Sequence, residues 1–374
     1  MTTPDPVRVS PRLFGIATSL LCITAFLTLS SFPTMNASSA GAQSSRFGSV
    51  SALSALQQVQ NSIVASSVQG KLPKALKSQL STALASTFNG DSCLEQPNSA
   101  PISIPCSFGD LKSNRNVILY GDSFALEWIP ALTLLGSKFH FKLIVYSRLG
   151  CPFADVKIAD WLGKVDPGCL PFRRNVVRSI NQLSPKPILV LLSEETELRS
   201  PKNPSVNIDV SDFTRGNVKT LKQLKLDRNS IRVLLGEPNA GNTGSPGTCL
   251  ATNMEKIRNC AVSQSVAFSN YYYPSIISSL TAAHFTYMNL SMFFCASVCP
   301  VTSGDFLVHS DNWHVNQLYA AHLAPAMAEL IGCSGSDLTA AELRKQPIYL
   351  AMLPTLLQAK TRGSCRTALT APVS

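Results

Sequence analysis

The sequence predicts an α/β protein, a three-layer α/β/α domain around a central parallel sheet of about five strands, with an N-terminal helical hairpin and a C-terminal helical extension. Three observations predict it. Five short apolar runs (Val117–Tyr120, Leu143–Tyr146, Ile188–Leu192, Ile231–Leu235 and Phe285–Leu290) lack the alternation of a half-exposed strand. Stretches with helical spacing separate them, as crossover connections between parallel strands require. The chain has 374 residues, 45% of them hydrophobic, enough for one large core. Strands buried on both faces and separated by helices imply a sheet covered on either side.

The elements follow in order. Arg8 and Arg12 precede an apolar run from Leu13 to Phe32, and a small-residue stretch ends in Ala40-Gly41-Ala42. Residues 1–42 read either as an export signal cleaved after Ala42 or as an uncleaved membrane anchor, since the run is about the 20 residues a span requires. Both readings put the remainder outside the cytoplasm, secreted or anchored through the N-terminal segment. Residues 43–110 then hold a linker and two helices: Leu53, Leu56, Val59, Ile63 and Val64 recur at helical spacing, and Leu76, Leu80 and Leu84 do so after Pro73.

The main domain is expected over 111–331. Its helices are predicted over Phe124–Leu135, Phe172–Leu183, Val218–Leu226 and largely over Ile257–Leu280. A closing helix over Val315–Ile331 carries Pro325, which should kink it. Residues 332–374 add one or two more helices.

Eleven cysteines support export. Cys22 lies in the apolar run, leaving Cys93, Cys106, Cys151, Cys169, Cys249, Cys260, Cys295, Cys299, Cys333 and Cys365. No Cys-x-x-Cys pair occurs and no His stands at ligand spacing, so disulfides are expected and no metal. Short separations favour sequential pairing, with Cys333–Cys365 its weakest member. The +10 net charge is spread over scattered Lys and Arg with no dense run and no nucleic-acid motif. It fits a mildly basic exported protein and is compatible with an acidic envelope substrate.

Tyr120-Gly121-Asp122-Ser123 places a serine between the end of a strand and the start of a helix, at the edge of the sheet where ligands bind. There its own amide lies at a helix N-terminus, which favours a developing oxyanion. The plain alternative is that Asp122 or Ser123 only caps the helix. A serine hydroxyl needs a base, and five histidines exist. His140, His284 and His322 read as structural. Asp311 and His314 are three apart at the expected start of the closing helix, a spacing that lets the carboxylate orient the imidazole. His309 is the rival base, but Asp311 two residues on would point to the opposite face of an extended segment.

Gly121-Asp122-Ser123 after the first strand and Asp311 to His314 after the last together resemble the SGNH (GDSL-like) hydrolases. The likeness is closer to the SGNH domain fused to, or encoded beside, acyltransferase-3 membrane proteins. Val117 to Leu132 looks like that subgroup's first block. Gly150-Cys151-Pro152 with Cys169, Gly236-Glu237-Pro238 with Cys249 and Cys260, and Cys295 through Cys299-Pro300 to Leu323-Ala324-Pro325 look like its later ones.

The resemblance implies a flavodoxin-like domain and an acyl-serine intermediate without cofactor. Ser123 would be nucleophile, His314 base and Asp311 its orienter, with the amides of Ser123 and Gly150 as oxyanion hole. It implies an extracytoplasmic acyl esterase or O-acyltransferase acting on a cell-surface glycan, and a membrane acyltransferase as a possible partner. Phe124 stands where the subgroup usually has His. The third strand runs into Ser193-Glu194-Glu195, where no oxyanion Asn can be placed, and Glu194 reads as a surface acid. These two departures motivate the alternative of a non-catalytic, SGNH-like carbohydrate-binding or scaffold protein.

Overall fold

A computed structural model describes residues 54–85, 93–96, 105–159, 163–238, 245–269, 272–334 and 364–365. All of them fall in one compact unit, Ala52–Ser374. The apolar run at 13–32 and most of the C-terminal extension lie outside the described residues. Among the described residues no helix is long and apolar enough to cross a membrane.

Helix α1 (Ala55–Ser67) starts with a capping box, in which Ser54 Oγ accepts from the Gln57 amide and the Gln57 side chain accepts from the Ser54 amide. The next two amides, of Ala55 and Leu56, donate to the Glu329 carboxylate at 2.7 and 3.1 Å. A carboxylate at a helix N-terminus satisfies two orphan donors and complements the dipole, so α1 is tied to the far end of the chain. Helix α2 (Lys74–Ala85) follows Pro73 and packs Leu72, Leu76 and Ala83 against Leu250, Ile257 and Leu307. Both predicted N-terminal helices therefore dock on the main domain.

Strands β1 (Leu94–Glu95), β2 (Cys106–Gly109) and β3 (Asn116–Gly121) come next, then α3 (Ser123–Leu126), α4 (Ile129–Phe139) and β4 (Lys142–Arg148). The single helix expected over Phe124–Leu135 is two. Pro130 sits in the first turn of α4, where its missing N–H costs nothing, and the chain breaks at Glu127–Trp128, both buried. Helix α5 (Cys169–Gln182), β5 (Leu189–Ser193), α6 (Val210–Gln223) and β6 (Ile231–Leu235) continue the alternation. Helix α6 begins eight residues before the expected Val218, because Asp209 caps it and Gly216 lets it press against the backbone of Asp155.

The long helix expected over Ile257–Leu280 is not formed. After α7 (Pro246–Asn253) the chain makes a 3₁₀ turn at Ile257–Cys260, β7 (Val262–Ser263), α8 (Gln264–Ala267) and only then α9 (Tyr273–Ala282). A disulfide ties Cys260 to Cys249, and Pro274 sits in the first turn of α9. Strand β8 (Thr286–Asn289) and the short strands β9 (Val298–Cys299), β10 (Thr302–Ser303) and β11 (Phe306–Leu307) precede α10 (Gln317–His322) and α11 (Ala324–Leu330). The closing helix is thus divided at Leu323 rather than bent, with Pro325 in the first turn of α11. Finally β12 (Cys333–Ser334) pairs antiparallel with β13 (Ser364–Cys365), which sets the backbones of Cys333 and Cys365 opposite each other.

The sheet order is β4-β3-β5-β6-β8, all parallel. Two strands extend the β4 edge, β2 antiparallel along its first half and β1 parallel at its end. In order of appearance the five long strands run 2-1-3-4-5, the flavodoxin-like order, with its topological switch beside β3. Successive residues of each strand feed opposite layers. Val117, Leu119, Val145 and Leu191 join α4, α10 and α11 in one core, while Ile118, Tyr120, Val190 and Val233 join α5, α6 and α9 in the other. Four disulfides pair Cys93–Cys106, Cys151–Cys169, Cys249–Cys260 and Cys295–Cys299 in sequential order.

At the end of β3, Gly121 pairs with Ser193 of β5, and a Cβ on Gly121 would overlap the Ser193 carbonyl oxygen. Gly121→Ala should therefore force the two central strands apart and destabilise the domain by about 3 kcal/mol or more, the upper range for overpacking. Urea unfolding of the variant against wild type checks this.

Candidate active site

The carboxyl ends of β3, β4 and β5 meet at one rim of the sheet. Ser123 is the first residue of α3, directly after β3 and the fully buried Asp122. Asp122 does cap this helix, as the plain reading of the motif had it: its Oδ1 accepts from the Phe124 amide at 3.0 Å. Its other oxygen, Oδ2, accepts from the Glu195 amide just beyond β5 at 2.9 Å. Its backbone carbonyl accepts from Ser147 Oγ of β4 at 2.7 Å. The turn that presents Ser123 is therefore fastened to both neighbouring strands.

His314 reaches the same rim from the opposite end of the chain. Its Nε2 lies 3.0 Å from Ser123 Oγ, and its Nδ1 lies 2.8 Å from Asp311 Oδ2. A carboxylate can only accept, so the proton sits on Nδ1 and Nε2 is left to accept from the serine hydroxyl. Asp311 Oδ1 accepts from the backbone amides of Trp313 and His314, at 2.8 and 2.7 Å, and these bonds set its rotamer. Asp311 and His314 do not open a helix as expected. They form a tight turn in which Ser310 N–H donates to His314 O, and α10 starts only after Asn316, whose side chain caps it.

Burial draws the His314 pKa down, but its hydrogen bond to Asp311 and the charges of Asp311, Asp122 and Glu195 raise it above 6.5 overall. Asp311 is pushed up by burial and then pulled down further, to about 2, by the His314 ring and the two amides. The rival His309 is buried against Phe294, with ring centroids 5.6 Å apart, and burial lowers it to about 4. His322 stacks on Phe306, and His140 caps α4 with its ring 3.1 Å from Asp110.

Gly150 follows β4 with a φ of 60° and lines the same pocket as Ser123. The Cys151–Cys169 disulfide staples this loop to the start of α5. Further out, Arg148, fully buried, binds Asp166 through Nε and Nη2 at 2.6 and 3.0 Å and Glu95 through Nη1 at 3.1 Å. The pocket has a volume of about 470 Å³, and its apolar lining includes Phe124, Leu149, Ile158 and Trp313. Phe124 packs its ring 5.4 Å from His314. A larger open groove of about 760 Å³ between α6 and α9 holds Arg215, Lys219 and Lys222 but no serine–imidazole pair.

Two acids at the end of β5 differ from the sequence expectation. Glu194 is not a surface acid; it is buried, accepts from the Ala154 amide at 2.9 Å, and burial holds its pKa well above the ordinary range. Glu195 lines the pocket beside Ser123, and burial raises it to about 7. Deeper still, Trp128 Nε1 donates to Glu237 at 2.7 Å, and Glu237 shares a buried site with Glu127. Side-chain alternation cannot forecast Glu194, Glu195 and Glu237, which lie on irregular segments leaving the strands, and Glu127 sits in the break between α3 and α4.

A serine, an imidazole and a carboxylate thus stand in hydrogen-bonded series at the carboxyl edge of the parallel sheet of an α/β protein. A family model for the SGNH domain (fused to AT3 domains) matches residues 92–329, more than half of the chain. The chain belongs to this SGNH family of acyl hydrolases and acyltransferases. Among solved structures, the periplasmic domain of a lipopolysaccharide acetyltransferase from Salmonella ser. Paratyphi A is similar, at 16% identity and a TM-score of 0.47, over 69% of this chain and 95% of that one. No curated protein matches the sequence.

Asp311→Asn removes the charge and weakens the bond that raise His314, so the imidazole pKa should fall. A proton NMR titration of the His314 ring in both proteins measures the shift.

Proposed function

We propose that this protein is an extracytoplasmic, serine-dependent acyl esterase or O-acyltransferase that works through an acyl-serine intermediate on a cell-envelope glycan. The observation that carries the reading is the 3.0 Å contact between His314 Nε2 and Ser123 Oγ, with Asp311 on the far ring nitrogen. Ser123 Oγ attacks the ester carbonyl carbon while its proton passes to His314 Nε2. The carbonyl oxygen takes the electron pair and is held by the amides of Ser123 and Gly150. Collapse expels the alkoxide, which receives the proton from His314 and leaves as an alcohol. The acyl-enzyme is then attacked by water or by a sugar hydroxyl, again with His314 as base.

Four disulfides support an oxidising compartment. The family's association with AT3 domains supports a membrane acyltransferase as acyl donor. Residues 1–42 serve as the export signal or anchor in this reading, and residues 332–374 extend the domain beyond α11. A short acyl group suits the modest pocket better than a long lipid chain.

A fluorophosphonate probe should label the wild-type protein and leave Ser123→Ala unlabelled. Ser123→Ala or His314→Ala should lower turnover of acetyl esters by more than about 10⁴-fold, the scale of triad removal elsewhere. Persistent labelling of Ser123→Ala would reject the nucleophile, and wild type without Ser123-dependent turnover would favour the glycan-binding alternative.

A further inference from the structure

The pocket collects more acid than the three-residue series uses. Glu195 leaves the end of β5, which pairs with β3, the strand that runs into Ser123. Its amide is bonded to the carboxylate of Asp122, the residue immediately before Ser123, so its main chain is fixed beside the serine turn. Glu195 lines the pocket that Ser123, Gly150 and His314 also line. Three strand ends thus deliver three groups to one place: Ser123 from β3, Gly150 from β4 and Glu195 from β5.

Two of these groups offer amides, and a tetrahedral oxyanion gains from a third donor. An ionised carboxylate there would repel the oxyanion, whereas a neutral carboxyl group can donate its proton. The surroundings favour the neutral form. Burial is the main cause of the rise to about 7, and Asp122 and Glu197 add to it, while His314 and Arg199 oppose it. Lys164 and Asp166 line the pocket as well. Of the cations lining the pocket, Arg199 and Lys164 are exposed.

We propose that the Glu195 carboxyl group is a hydrogen-bond donor to the acyl carbonyl oxygen of the ester bound at Ser123. This rests on the acyl-serine chemistry proposed above. It assigns a third oxyanion donor to the chain, one that works only while it is protonated. The sign follows from the two pKa directions: His314 acts as base above its raised pKa, and Glu195 donates below about 7. Their overlap is a bell-shaped rate profile whose alkaline limb belongs to Glu195.

The test measures hydrolysis of p-nitrophenyl acetate by the full chain between pH 5 and 9, for wild type, Glu195→Gln and Glu195→Ala. Glu195→Gln keeps a donor that does not titrate, so it should retain most of the turnover at pH 6 and lose the alkaline limb. Glu195→Ala should lose about 100-fold in kcat at pH 6, the lower range for one oxyanion donor. Thermal unfolding of each variant reports folding, and if Glu195→Ala does not fold, the Glu195→Gln profile decides. Ser123-dependent turnover with an unchanged alkaline limb in Glu195→Gln, or with Glu195→Ala as fast as wild type, overturns the Glu195 assignment alone. Turnover that does not depend on Ser123 overturns the acyl-serine reading, and this inference with it.

Discussion

Two hydrogen bonds to one buried carboxylate hold the site together. Asp122 accepts from Phe124 on the helix that begins at the serine and from Glu195 on the segment leaving the adjacent strand. Its main-chain carbonyl takes a third bond from Ser147. These bonds fix the turn relative to β4 and β5, so the position of Ser123 Oγ is set by the sheet rather than by a free loop. The close passage of Gly121 and Ser193 just below permits this geometry, because any larger residue would hold the strands apart. Rigid presentation of this kind matters for a nucleophile, since small displacements of the attacking atom cost large factors in rate.

The second constraint is electrostatic. Asp122, Glu127, Glu194, Glu195 and Glu237 are all pushed upward by burial, and the buried Arg173 opposes that push at Glu194. Asp311, bonded to two amides and a ring nitrogen, is instead drawn down to about 2. Carboxyls far apart in sequence are thereby set to opposite states around one site, one held charged toward His314 and others held toward neutrality. Separation of this kind is how similar side chains take different roles in one site.

The distant parts of the chain serve the same rim. Glu329 of α11 binds the start of α1, and Asn316 both caps α10 and donates to Ala83 O at the end of α2. The segment that bears Asp311 and His314 is thus braced by the N-terminal helices. On the other side of the pocket, the Cys151–Cys169 disulfide closes an 18-residue separation and holds the loop after Gly150. A crosslink over a loop of that size is worth roughly 3 kcal/mol through the unfolded state.

The five long strands, most of the helices, and the serine and the Asp311–His314 pair were legible from the sequence alone. Each is written locally, as an aliphatic run, a helical period, or a short motif at a strand end. The long helix over 257–280 and the undivided closing helix do not form, because disulfides and prolines in first turns outweigh apolar spacing. What the sequence determined by itself was therefore the order of elements and the residues able to do chemistry. Only the tertiary structure decided that Ser123 and His314, 191 residues apart, stand 3.0 Å from each other, and that Glu195 faces the same pocket. Those contacts depend on strand order and on the path of the chain after each strand, which arise from long-range packing and leave no local pattern to read.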